Sequence, residues 1–101
     1  MLKSQFNAIV EWQEKTFPAA TELSKLHHLQ KEVYELSFAA MEKNPGKAHE
    51  YADCIFLIYG AAAKSGMSYD DIVKAIEEKF LINQHRQWGK PDANGVVEHI
   101  K

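Results

Sequence analysis

Cysteine occurs once in this sequence, as Cys54, which excludes an internal disulfide framework and fits a reducing compartment. Proline and glycine are scarce too, at 3 and 5 of 101 residues, and they fall between periodic stretches. No excess of one charge exists: 12 basic and 14 acidic side chains leave a formal −2, which argues against a protein that coats DNA. The longest apolar run, from Cys54 to Ala63, is about ten residues and too short to cross a bilayer. The opening MLKSQFNAIVEW is amphipathic and lacks the apolar core and small-residue cleavage site of a signal peptide. Strand signals are nearly absent, since no β-branched run alternates cleanly with polar residues. The expectation is a soluble, cytoplasmic protein that partners neither a membrane nor a nucleic-acid polymer.

What is present is helix. The breaks Phe17-Pro18, Asn44-Pro45-Gly46, Ser65-Gly66 and Gly89-Lys90-Pro91 leave four helical stretches, at 3–16, 20–42, 47–65 and 69–87. The second carries Leu26, Leu29, Val33, Leu36 and Ala40 at three- and four-residue steps, an apolar stripe. The fourth opens with Ser68-Tyr-Asp-Asp71, a capping-box variant, and shows Ile72, Ile76 and Phe80 on one face. The third is apolar nearly all round, so it is expected at the centre. An all-α, four-helix bundle follows, one domain over 1–101, with a short, turn-rich tail. With 46% hydrophobic residues a packed core is feasible, yet so small a domain buries only roughly 60–65% of its unfolded surface. Help from a ligand, a metal or a second subunit is therefore expected.

Three acidic pairs stand at i, i+3: Glu11/Glu14, Glu32/Glu35 and Glu50/Asp53. Glu11/Glu14 reads as a solvated face. Glu50 and Asp53 project from the central helix on the stripe of Leu57 and Ala61, and buried carboxylates cost several kcal/mol unless paired, protonated or metal-bound. Glu32 and Glu35 flank the stripe of the second helix, with His28 between them. The Asn44–Gly46 loop folds these helices antiparallel, bringing both pairs to a similar level in one partly buried seam. Four converging oxygen ligands suit Mg²⁺ or Mn²⁺ rather than zinc. The plainer reading makes Glu32 and Glu35 rim charges and Glu50 and Asp53 a helix-start cap. A ferritin-like di-iron site would need Glu-x-x-His, and no Glu here is followed three residues later by His. His27, His49, His85 and His99 lack metal-ligand spacing.

The fourth helix adds Lys79, Asn83 and Arg86 at i, i+4 and i+7, on a face overlapping that of Ile72 and Ile76. Cations beside metal-binding carboxylates divide the labour as phosphoryl chemistry requires. The alternative is that they complement the helix C-terminus.

Read in order, Lys25-Leu-His-His-Leu-Gln-Lys-Glu32-Val-Tyr-Glu35-Leu, Glu50-Tyr-Ala-Asp53 and Lys79-Phe-Leu-Ile-Asn83-Gln-His-Arg86-Gln-Trp88 resemble the MazG-like all-α NTP pyrophosphohydrolases. The resemblance is nearest to their dATP/dGTP diphosphohydrolase branch in bacteria and phages, which shares a Trp…Thr-Phe-Pro start (Trp12 to Pro18) and a Gly-Val-x-Glu-His-Ile ending (Gly95 to Ile100). It spans nearly the whole chain. The wider family often has Glu-Glu-x-x-Glu, where the first position here is Lys31.

This resemblance implies that Glu32, Glu35, Glu50 and Asp53 hold Mg²⁺, with Mn²⁺ as a substitute, and that Glu32 and Glu35 also act in catalysis. Lys79, Asn83 and Arg86 would bind the phosphates or sugar, and Trp12 and His28 would belong to the nucleotide pocket. The implied reaction converts a purine nucleoside triphosphate, dGTP or dATP, to the monophosphate and pyrophosphate. The implied assembly is a homodimer or homotetramer, in a bacterial or phage-infected cell. A non-catalytic helical module that binds nucleotide or protein is the competing expectation. Lys79, Asn83 and Arg86 speak against it, because a protein-binding surface does not require phosphate ligands beside acids.

Overall fold

The structure is a computed structural model that describes residues 1–100. It contains four helices: α1 (Lys3–Thr16), α2 (Glu22–Met41), α3 (Ala48–Lys64) and α4 (Tyr69–His85). Each lies within the stretch read from the sequence, and no named strand occurs among the described residues. No helix is long and apolar enough to cross a membrane. The chain forms two compact units, one over Met1–Tyr69 and one from Asp70 onward.

In the first unit α3 packs chiefly on α2 and also on α1. Phe6 is buried with its ring edge-on to Tyr59 (centroids 5.3 Å apart) and tilted against Tyr69 (5.5 Å), whose hydroxyl donates to the Met1 carbonyl at 2.7 Å. Cys54 and Ala61 of α3 complete a thin apolar core. Pro18 cannot continue α1, which stops as the Phe17 amide closes on Gln13 O. α2 starts with a reciprocal cap: Thr21 Oγ1 accepts from the Ser24 amide at 3.0 Å, and Ser24 Oγ accepts from the Thr21 amide at 2.8 Å. Gly66, at φ +100°, takes the left-handed position that ends α3, with Met67 N–H returning to Ala62 O.

Three expectations need correction. The inward face of α2 is Lys25, Leu29, Glu32, Leu36 and Ala39, whereas Leu26, Val33 and Ala40 of the supposed stripe are exposed. Two polar residues therefore occupy core-facing positions, rotating the helix by about one residue from its most apolar face. The third helix lies between its neighbours yet leaves Ile55 and Ile58 exposed, since α1 and α2 cover only part of its circumference. Glu14 is not simply solvated: its carboxylate accepts from Lys64 Nζ at 2.8 Å, tying α1 to α3.

The second unit comprises most of α4 and a returning tail. Ile72 is buried, but Ile76, Phe80, Leu81 and Ile82 are exposed. The tail turns at Asp92, whose Oδ1 accepts from the Asn94 and Val96 amides, with Gly95 at φ +79°. Backbone bonds from Gly89 to Glu98 (2.8 Å) and from Ile100 to Gln87 (2.7 Å) flank a single antiparallel bridge between Trp88 and His99.

Candidate active site

A cavity of about 420 Å³ opens among α1, α2 and α3 of the first unit. Trp12 and Phe17 stand at one side with their rings edge to face, centroids 5.6 Å apart, and both are half-exposed. Ala20, Phe56 and Leu57 extend the apolar lining. Such a slot suits a flat aromatic ligand, which stacks on rings and fills apolar space.

Apart from Ser24, the polar part of the lining divides into two groups. Gln13 and Lys25 are each only 5% exposed. Gln13 Nε2 donates to Phe56 O at 2.9 Å, and Gln13 Oε1 accepts from Lys25 Nζ at 2.7 Å. Gly60 makes room for them, because a Cβ there would overlap Gln13 Oε1. Burial pushes the Lys25 ammonium below its usual range, Glu14 opposes that shift and Lys64 reinforces it.

The second group is acidic. Glu32 of α2 and Asp53 of α3 both line the cavity, as does His28, whose Nε2 lies 3.2 Å from Glu32 Oε1. Both acids also act on the buried Cys54 thiol, whose pKa is raised first by burial and then by the negative charges of Glu32 and Asp53. Glu35 and Glu50 do not line the cavity. Of the four acids only Glu32 is half-buried; Glu35, Glu50 and Asp53 are exposed, so the seam is more open than expected. Among the described residues no three His, Cys, Asp or Glu side chains form a ready metal cage. Nor do Glu35, Glu50 and Asp53 have a basic partner among them.

In the second unit Lys79 is exposed, while Asn83 and Arg86 are half-buried. Asn83 Oδ1 accepts from Arg86 Nη1 at 3.4 Å, and Asn83 O accepts from Trp88 Nε1 at 3.0 Å, so the turn after α4 is organised around Asn83.

The cavity thus brings together Trp12, His28, Glu32 and Asp53 of the residues singled out in the sequence. It adds Gln13 and Lys25, which sequence reasoning missed. A signal was available: Gln13 continues the buried face of α1 one turn after Ile9 and two after Phe6, and Gly60 interrupts an otherwise apolar helix.

The model of a family described as dATP/dGTP pyrophosphohydrolase matches residues 5–101. A dATP/dGTP diphosphohydrolase of Salmonella phage PMBT28 is 32% identical over 89 residues, 88% of this chain and 28% of that protein. The Eaa protein of Salmonella phage P22 is 38% identical over 58 residues, 57% of this chain and 18% of that protein. The chain therefore spans less than a third of either curated relative. A solved MazG-like pyrophosphohydrolase of cyanophage S-2L, bound to dGDP and three catalytic Mn²⁺ ions per active site, has the same fold. It superposes with a TM-score of 0.77 at 24% identity, covering 100% of this chain and 99% of that one.

Proposed function

As a member of the dATP/dGTP pyrophosphohydrolase family, this chain is one that we propose hydrolyses dGTP and dATP to the nucleoside monophosphate and pyrophosphate. The observation that carries the reading is the cavity itself. An aromatic, ring-sized slot shares its lining with carboxylates from two facing helices, Glu32 beside His28 on α2 and Asp53, without a basic partner among the described residues, on α3. Base and polyphosphate need those two chemistries side by side.

The acids fit a hard divalent cation. Asp53, Glu35 and Glu50 offer carboxylates that no lysine or arginine neutralises among the described residues. Glu32, Glu35, Glu50 and Asp53 would hold Mg²⁺ or Mn²⁺. A divalent cation held there would supply positive charge for the phosphates and acidity for the attacking water. The protein's own contribution begins with Trp12 and Phe17, perpendicular rings of which one stacks on the base while the other meets its edge, which fixes its plane. His28 keeps Glu32 turned along α2 through their 3.2 Å contact. Within the second unit Asn83 accepts from Arg86 Nη1, and a phosphate-binding role for Lys79, Asn83 and Arg86 rests on the family resemblance alone. Water adds, the anhydride between the α- and β-phosphates breaks, and pyrophosphate leaves. We also assign the exposed Ile55, Ile58, Ile76 and Phe80 to interfaces of a homodimer or homotetramer. A sedimentation mass near the 11.5 kDa of the chain would remove that assignment.

The test is product analysis by ion-exchange chromatography across the eight common nucleoside triphosphates with Mg²⁺ or Mn²⁺. The monophosphate and pyrophosphate from dGTP and dATP are expected. Release of the diphosphate and orthophosphate would overturn the reaction, and binding without turnover would leave a non-catalytic nucleotide module.

A further inference from the structure

Lysine is seldom buried, and Lys25 is 5% exposed with no carboxylate at ion-pair distance among the described residues, Glu14 acting on it only from further off. Its hydrogen-bond acceptor among the described residues is a neutral amide oxygen, Gln13 Oε1 at 2.7 Å. An ammonium has three donors, so two remain, and the residue lines the cavity. Fold stability alone does not account for this arrangement. An apolar side chain of similar length would avoid the desolvation cost. Gln13 is itself fixed, because its amide nitrogen is bound to Phe56 O. The chain thus holds a cation at a set position in the lining of an aromatic slot.

A donor-only group can read only an acceptor. The 6-position of the purines differs between the two bases, an oxygen acceptor on guanine and an amino donor on adenine, so a fixed ammonium there would reject adenine. Ring nitrogens N3 and N7 are the acceptors that both purines share. N3 lies beside the sugar, which leaves N7 as the edge open to a side chain in the pocket lining.

We infer that Lys25, positioned by Gln13, is a specificity-determining residue that donates a hydrogen bond to N7 of the bound purine. This rests on the purine triphosphatase reading above and adds the atom by which the base is recognised. Pyrimidines have no imidazole ring and forfeit the contact. Gln13 is a positioning residue: it holds the ammonium and does not itself touch the base.

The experiment compares kcat/KM for dGTP and dATP with that for their 7-deaza analogues, in which N7 becomes C–H. The wild-type protein should lose about 10- to 100-fold on each analogue, the worth of one hydrogen bond to a charged donor. Lys25→Met should fall by a similar factor on the natural substrates and show no further loss on the analogues. The Gln13→Met/Lys25→Met pair, which strands no buried partner of the lysine, repeats the comparison if Lys25→Met melts early. Equal wild-type rates on natural and 7-deaza substrates overturn the inference, as does a Lys25→Met loss that is the same on every substrate. Calorimetric binding of dGMP against 7-deaza-dGMP reads the same contact without turnover. If no triphosphate is hydrolysed but dGMP binds tighter by that factor, the reaction falls and base reading stands.

Discussion

The cavity has two polar groups in its lining, and they are built on opposite plans. Gln13 and Lys25 are buried, bonded to each other and to Phe56 O, and seated in space left by Gly60. Glu32 and Asp53, with Glu35 and Glu50 nearby in sequence, are half-buried or exposed, and of these four only Glu32 has a basic partner among the described residues, His28. The first group is held in place by bonds within the chain, which leave donors of Lys25 over for a ligand. The second carries unneutralised charge and is finished only by something that binds. Preorganised groups set selectivity, whereas unneutralised acids supply charge for a ligand that brings its own.

The largest expected effect breaks the acidic group. Asp53→Asn and Glu35→Gln should each lower turnover at least about a hundredfold, since neutralising phosphate charge is the main catalytic term. Their melting temperatures without metal should be unchanged or higher, because neither carboxylate has a favourable partner to lose. The added stability that Mg²⁺ and nucleotide confer on the wild type should disappear. Turnover retained alongside a several-degree fall in the metal-free melting temperature would make Asp53 a structural cap.

Next in size is the buried group. Gly60→Ala gains about 1 kcal/mol of helix propensity but forces the new methyl into Gln13, at a cost of about 1–3 kcal/mol. A net loss of up to about 2 kcal/mol is expected in urea denaturation. In a Gln13→Ala background the same substitution should become stabilising, and no change of sign would show that Gly60 does not serve this pair.

The pH dependence sharpens the contrast further. Burial holds Lys25 below its ordinary 10.5 in the folded chain, with Glu14 opposing and Lys64 reinforcing the shift. Between the folded value and 10.5 the unfolded chain carries more protons. Stability contributed by this group therefore rises with pH through that window and levels off above it. Subtracting the Lys25→Met profile from the wild-type profile cancels the other titrating groups. A difference that stays flat across the window would contradict the assignment.

The smallest effect concerns the first acidic pair. Glu14→Gln removes the half-exposed bridge to Lys64 and should cost about 0.2–1 kcal/mol, whereas Glu11 loses only an exposed pair with Lys15 and should behave like wild type. Equal melting curves for the two variants would remove the distinction.

Much of the fold was legible in local chemistry. Pro18 and Pro45 cannot continue a helix and Gly66 readily takes the left-handed position that ends α3, and the observed α1–α4 fall within the stretches these breaks delimit. The order Glu32, Glu35, Glu50, Asp53, Lys79, Asn83, Arg86 was enough to raise the family resemblance. Periodicity erred on α2, where the most apolar stripe contains Leu26 and Val33 but Lys25 and Glu32 face inward. Hydrophobicity is a sound guide to the core only where every inward position is apolar, and a ligand cavity violates that condition.

Local sequence therefore determined the four helices, their ends and the set of acids and cations, since backbone sterics and side-chain chemistry act over a few residues. Tertiary structure alone decided that Gln13 meets Lys25 across 12 positions, that Gly60 gives them room, and that Glu14 pairs with Lys64 50 positions away. It also decided that Trp12, His28, Glu32 and Asp53 line one cavity. Those partnerships depend on how three helices rotate about their own axes when packed, and a turn of 100° per residue makes that rotation invisible to spacing along any one of them.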